Sequence, residues 1–179
     1  MTATTALALS LRPMTEADLE RKVKWANDEV VNQHIGFTDR VDLPGTRRWF
    51  AGQQANPDII LFTLVADEQA IGYAKFLRDP NGNQGEYQGA AIGEHQYWGR
   101  GLGKQMVTQL LRHAFEVEGW DRLWGHFPAW NARSIGLHQA MGFQIVGKAD
   151  HKRRHPGDGK EYEVLVLAFE RANYSGVTP

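Results

Sequence analysis

Residues 97–105 read YWGRGLGKQ, with glycine at 99, 101 and 103 and lysine at 104. Glycine at alternate positions lets a backbone adopt dihedrals that side chains forbid and lets it come close to a ligand. Behind this loop, Leu102, Met106, Val107, Leu110, Leu111, Ala114 and Phe115 recur at helical spacing. They predict a helix with one apolar face that stops at Glu118-Gly119. A loop of exposed amides that opens a helix favours an anion, because the first N–H groups lack partners and the macrodipole is positive there. Arg100 and Lys104 add formal charge. The same glycines also suit a tight strand-to-helix turn that binds nothing, so the surroundings decide.

Two phosphate motifs fail on spacing. G-x-x-x-x-G-K-[ST] puts Trp98 at the first glycine and Gln105 at the magnesium-binding hydroxyl, which argues against nucleotide hydrolysis. G-x-G-x-x-G started at Gly99 needs glycine at Lys104, although Asp121 stands at a distance suited to a ribose. The preceding segments also argue against a dinucleotide fold. Residues 59–67 and 70–79 are strand-like runs joined by a short polar turn, DPNGN at 79–83 is turn chemistry, and 85–93 makes a third antiparallel strand.

The rest of the chain extends this into a mixed α/β sheet with both faces covered. Residues 7–13 read as a short strand, and Thr15-x-x-Asp18 opens a helix to about Asn27. A short helix or turn covers 29–34, and a helix opened by Pro44 ends near Asn56-Pro57. After the glycine-loop helix come a strand at 121–127, a helix at 131–143 capped by Asn131 and stopped by Gly142, and two closing strands around a basic loop. The order is β, helices, a three-strand meander, then α-β-α-β-β.

With 179 residues, 42% of them hydrophobic and 23% charged, and with no repeat or long linker, one domain over 1–179 is expected. A net charge of −1 supplies no global field for nucleic acid. The apolar run near the start is too short for a signal peptide or membrane span, so a cytoplasmic protein is expected, and 172–179 reads as a fraying polar end. The absence of cysteine excludes disulfides, thiolate zinc sites and an acyl-cysteine intermediate. None of the seven histidines has metal-ligand spacing, so no metal is expected, and HKRRH at 151–155 reads as a solvated loop.

Trp98-Gly99-Arg100-Gly101-Leu102-Gly103 resembles the [RQ]-x-x-G-x-[GA] signature of the GNAT superfamily of acyl-CoA-dependent N-acyltransferases, with Trp98 in place of arginine or glutamine. IGEHQYWGRGLG at 92–103 resembles the RimJ/RimL-like branch, and NARSIGLH at 131–138 followed by Gly142-Phe143 resembles the family's second landmark. LRPMTEADL at 11–19 and DGKEYEVL at 158–165 also look familial, so the resemblance covers nearly the whole chain. It implies the GNAT fold, a mostly antiparallel twisted sheet flanked by helices on both faces. The acceptor side would lie in helices at about 15–56 and the acetyl-CoA core at about 85–143. Trp98, Gly99, Arg100, Gly101, Leu102, Gly103 and Lys104 would hold the CoA pyrophosphate. Ala91, Ile92 or Gly93 would offer the oxyanion amide where their strand splays and frees main chain for the pantetheine arm. Asn131 and Ser134 would contact or adjoin the cofactor.

The reaction so implied moves acetyl from acetyl-CoA to a primary amine by direct attack in a ternary complex. Glu86 is the first candidate for the base, with Glu94, His95 and His126 behind it; as a purely structural residue Glu86 would be solvated on an exposed strand face. His138 stands where many relatives carry tyrosine. As a histidinium it could protonate the leaving thiolate, since a thiol's pKa of about 8.5 exceeds histidine's of about 6.5; read structurally, it fills space and water supplies the proton. The acceptor is a small amine or amino sugar, or a protein N-terminus, with specificity in 26–50 and 150–160. The layout at 25–50 faintly resembles members that acetylate nucleotide-linked amino sugars. A homodimer is a family-level expectation, and neither nucleic acid nor membrane is expected as a partner. The competing readings are a non-catalytic acyl-CoA sensor and a dinucleotide-binding oxidoreductase.

Overall fold

The computed structural model describes residues 7–36 and 39–176; positions 37–38 of the expected acceptor region and 177–179 of the expected tail lie outside them. The strands are β1 (Leu9–Pro13), β2 (Ile59–Ala66), β3 (Gln69–Arg78), β4 (Gln84–Ile92), β5 (Arg122–Pro128), β6 (Gln144–Arg154) and β7 (Glu161–Glu170). They form one seven-stranded sheet in the order β1-β2-β3-β4-β5-β7-β6. Only β4 and β5 run parallel. The helices are α1 (Leu19–Asn27), α2 (Glu29–Ile35), α3 (Leu43–Gln54), α4 (Leu102–Arg112) and α5 (Ala132–Ala140). The β-helices-meander-αβαββ order read from the sequence is the observed one.

Alternation along the strands sends residues to two faces. Phe62, Leu64, Ala74 and Phe76 pack with Leu102, Met106, Val107 and Leu110 of α4 and Ile135 of α5. Leu61 and Tyr73 point the other way, onto Leu19 of α1 and Phe50 of α3. The second layer is pinned to the sheet by Asp18, which is 3% exposed. Its carboxylate accepts from Arg12 Nη1 and Nη2 at 2.7 and 2.6 Å, from the Thr15 N–H at 2.9 Å and from Thr63 Oγ1 at 2.9 Å. Burial opposes ionisation, but these donors together outweigh it and hold the carboxyl near a pKa of about 2.

The basic run is one place where the structure corrects the sequence reading. His151 to Arg154 lie within β6, and the connection begins only at His155. A bulge between Lys148 and Lys152 restores pairing with β7, and both lysines reach Glu163 at 3.8 and 3.3 Å. β6 is an edge strand, and lysines on an edge discourage pairing with another chain.

Candidate active site

The parallel β4–β5 ladder runs from Gln84↔Arg122 to Tyr87↔Gly125 and stops. The cause lies in β4. Between the pairs Ala74↔Ala90 and Phe76↔Tyr87, β3 has one residue and β4 has two, Gln88 and Gly89, with Gly89 at φ 115°. Such a bulge bends its strand, and a backbone at this φ is open chiefly to glycine. Beyond it β4 parts from β5 and leaves a cleft of about 550 Å³, walled by β4, the end of β5, the start of α4, α5 and α2.

Ala91 and Ile92 line this cleft. Gly93 does not: its N–H donates to Ile71 O at 2.8 Å, and its Cα lies against the Trp25 ring, so it serves packing instead of an oxyanion. Because amide directions alternate along a strand, the commitment of Gly93 to β3 turns the Ile92 N–H toward the gap. The Ile92 carbonyl already points that way and accepts from Trp98 Nε1 at 2.8 Å. Trp98 thereby ties the glycine loop to the parted strand.

The loop glycines do different work. Gly99 and Gly101 have φ of 75° and 78°, whereas Gly103 is helical, and a Cβ there would meet Leu137 Cδ2 at 3.2 Å. Gly101 is the N-cap of α4 and offers no side-chain oxygen. The first helix amides therefore face the cleft without a protein cap. Gly99, Leu102, Gly103 and Lys104 line it with them, while Arg100 stays outside, its guanidinium 5.8 Å from the Tyr97 ring centroid. Gln105, which a nucleotide-hydrolysing loop would replace by a hydroxyl, accepts from the Leu9 N–H at 2.8 Å and donates to Leu7 O at 2.9 Å.

On α5, Asn131 and Ser134 also line the cleft. Asn131 Oδ1 accepts the Ser134 N–H at 3.1 Å as the helix cap, and its Nδ2 donates to His34 O at 3.0 Å. One of its two amide N–H donors and one oxygen lone pair are thus engaged within the protein. His138 is 1% exposed among the rings of Tyr87, Phe127 and Phe143. Its Nδ1–H donates to Ser134 O at 2.8 Å. Burial pushes its pKa down to about 4, against the smaller pull of that hydrogen bond. The histidinium reading of His138 is corrected accordingly: at neutral pH the ring is uncharged.

Glu86 is outside the cleft lining. Its carboxylate accepts from Gln88 Nε2 at 2.8 Å and lies 3.3 Å from His126 Nδ1, and it is His126 that reaches the cleft wall. Glu94 and His95 are structural: Glu94 accepts from Lys24 Nζ and Trp25 Nε1, each at 2.9 Å, and His95 pairs with Asp28 at 3.1 Å. Tyr73, Tyr87, Arg133 and Arg153 also line the cleft and were not singled out from sequence. Arg133 lies two residues after the Asn131 cap, inside the stretch 131–138, whereas Tyr73, Tyr87 and Arg153 arrive through sheet register or packing that no local pattern carries. Among the described residues, no three histidine or carboxylate side chains converge as metal ligands do.

A sheet that parts beside an uncapped helix N-terminus defines a site for a long, phosphate-bearing carrier, which a strand edge can grip along its arm. Residues 8–144 match the Acetyltransferase (GNAT) domain, so the chain belongs to that family and is an acetyl-CoA-dependent N-acetyltransferase. It is 29% identical over 145 residues to an L-methionine sulfoximine/L-methionine sulfone acetyltransferase of Pseudomonas paraeruginosa, covering 79% of this chain and 84% of that one. In fold it is similar to the spermidine N-acetyltransferase of Vibrio cholerae crystallised with CoA and spermine, with a TM-score of 0.83 at 15% identity over 93% of this chain and 97% of that one. An aminoglycoside acetyltransferase solved with coenzyme A gives a TM-score of 0.75 at 18% identity, over 92% of this chain and 96% of that one. The dinucleotide alternative falls with the fold, since the glycine loop follows an antiparallel meander.

Proposed function

We propose that acetyl-CoA lies with its pyrophosphate on the Gly99–Gly101 turn and the first amides of α4, its pantetheine arm between parted β4 and β5, and its thioester near Ile92. The observation that carries this reading is the end of the β4–β5 ladder at Tyr87↔Gly125, directly beside that helix start. Trp98, Leu102, Gly103 and Lys104 complete the phosphate end, and the Arg133 guanidinium of α5 lies 6.0 Å from the Trp98 ring centroid. Arg100 contributes long-range charge, and Ala91 and Ser134 give wall to the arm. Asn131 acts by capping α5.

The amine nitrogen attacks the thioester carbon, the carbonyl oxygen gains charge, and the C–S bond then breaks. The Ile92 N–H is placed to take the oxyanion. His126 accepts the ammonium proton, directly or through one water, and Glu86 at 3.3 Å holds its ring. Glu86 is thus a positioning residue and not the base. His138, neutral at physiological pH, packs the wall, and water protonates the thiolate. With no cysteine in the chain, transfer is direct. The Tyr97-Trp98-Gly99 lead into the loop supports the RimJ/RimL-like branch. Exposed Ile145 and Val146 on β6 support a homodimer that packs through those side chains instead of by strand pairing along the lysine-bearing edge.

Calorimetric titration with acetyl-CoA, against NADH and ATP, tests the site. Saturable binding of acetyl-CoA alone, weakened by Gly101→Val, is expected. Equal binding of NADH would overturn the assignment of the cleft.

A further inference from the structure

The cleft wall carries formal charge of one sign. Among the described residues its lining includes Lys104, Arg133 and Arg153 and no aspartate or glutamate. Glu86 meets it only through His126 and Gln88, to which its carboxylate is already bonded. Lys104 and Arg133 belong to the glycine-loop end, beside the α4 N-terminus and Trp98. Arg153 stands apart from them, where β6 meets the C-terminus of α2.

Arg153 is half-buried, 5.9 Å from the centroid of the Trp130 ring. Its Nη2 donates to the carbonyls of Ile35 and Gly36 at 3.4 and 3.2 Å. Those contacts cap α2, as Trp130 does by donating to Gln33 O at 3.0 Å. They use one corner of the guanidinium. Among the described residues no carboxylate pairs with Arg153, and its Nε and Nη1 groups have no bonded partner. A guanidinium stays charged at any working pH and presents a planar fork that matches a carboxylate. A half-buried one turned toward a cleft without acids calls for an anion from the ligand.

On the acetyltransferase reading above, we infer that the acceptor is a small amino acid whose carboxylate is bound by Arg153, and not a polyamine or an aminoglycoside. A polycation would meet this wall with no counter-charge, and like charges set against each other suppress a wrong partner. The same wall helps the reaction. Nearby positive charge favours the neutral form of the incoming amine, the only form that attacks.

The test follows thiol release from acetyl-CoA with a panel of L-amino acids, including methionine sulfone, each beside its carboxamide, and with spermidine. Wild type, Arg153→Gln and Arg153→Lys are compared, with thermal melts and acetyl-CoA titrations on each. At least one amino acid should exceed its carboxamide in kcat/KM by about 10- to 100-fold, the range for a hydrogen bond to a charged group. Arg153→Gln should bring that ratio to parity through KM, and lysine should recover part of it. A residue that only caps α2 would lower acid and amide together, and that result overturns the inference. Spermidine or carboxamides acetylated as fast as the acids also overturn it while leaving acetyl transfer standing. Acetyl-CoA binding without transfer to any acid overturns it as well; loss of acetyl-CoA binding overturns the transferase reading with it.

Discussion

Acid should weaken this protein through one particular histidine. In the folded chain His138 stays neutral down to about pH 4, while the same ring in the unfolded chain takes a proton at the ordinary 6.5. Between those values the unfolded state binds more protons, so the stabilising effect is complete above pH 6.5 and is lost as pH falls toward 4. At about 1.4 kcal/mol per pH unit, the gap amounts to about 3 kcal/mol. His138→Phe removes the titration and keeps an aromatic ring among Tyr87, Phe127 and Phe143. The assay is urea unfolding of both proteins at pH 7, 6, 5 and 4. The wild type should lose about 3 kcal/mol more than the variant across that span, a midpoint shift on the order of 1–2 M urea. Equal losses, or a ring resonance of His138 that titrates near 6.5, would refute the reasoning. Either result would also return a histidinium to the leaving-thiolate end of the cleft.

Asp18→Asn should cost about 2 kcal/mol at pH 7, since Asp18 loses its charge opposite Arg12 while that arginine, 41% exposed, can rehydrate. The wild-type carboxyl titrates at about 2 instead of 3.8, so its contribution is present above pH 3.8 and lost as pH falls through 2; a difference that stays constant down to pH 2 would contradict the network. His126→Ala should lower kcat by roughly 10²–10⁴-fold, the usual contribution of a positioned base. Glu86→Gln should cost less, because glutamine can still hold the ring; a larger loss in Glu86→Gln than in His126→Ala would make Glu86 the base itself.

How much of this could be read from the chain differs from element to element. The opening of a helix by the glycine loop and the apolar stripe of α4 are local patterns, set by the φ that glycine permits and by the helical period, and both are present in the fold. Asn131 as cap of α5 and Asp18 as partner of Thr15 are also local, three residues apart in each case. The bulge at Gln88-Gly89 has no such signature. Glycine there reads equally as a weak point in a strand, and only the register of β3 against β4 makes it an extra residue. The length of β6 was hidden because a run of lysine, arginine and histidine reads as solvated loop, although on a sheet edge the same charges sit comfortably in a strand.

By itself, the sequence determined the order of elements, the glycine loop that opens α4, and the exclusion of an acyl-cysteine intermediate. These follow from composition and from rules that act within a few residues. The tertiary structure alone decided that Glu86 meets His126 at the cleft wall, and that Arg153 lines the cleft without an acid beside it. Glu86 and His126 lie 40 positions apart and meet because parallel pairing sets their strands side by side. Arg153 reaches the end of α2 at Ile35 across 118 positions. Charge and burial at such points depend on sheet register and on the packing of distant segments, which no local pattern carries.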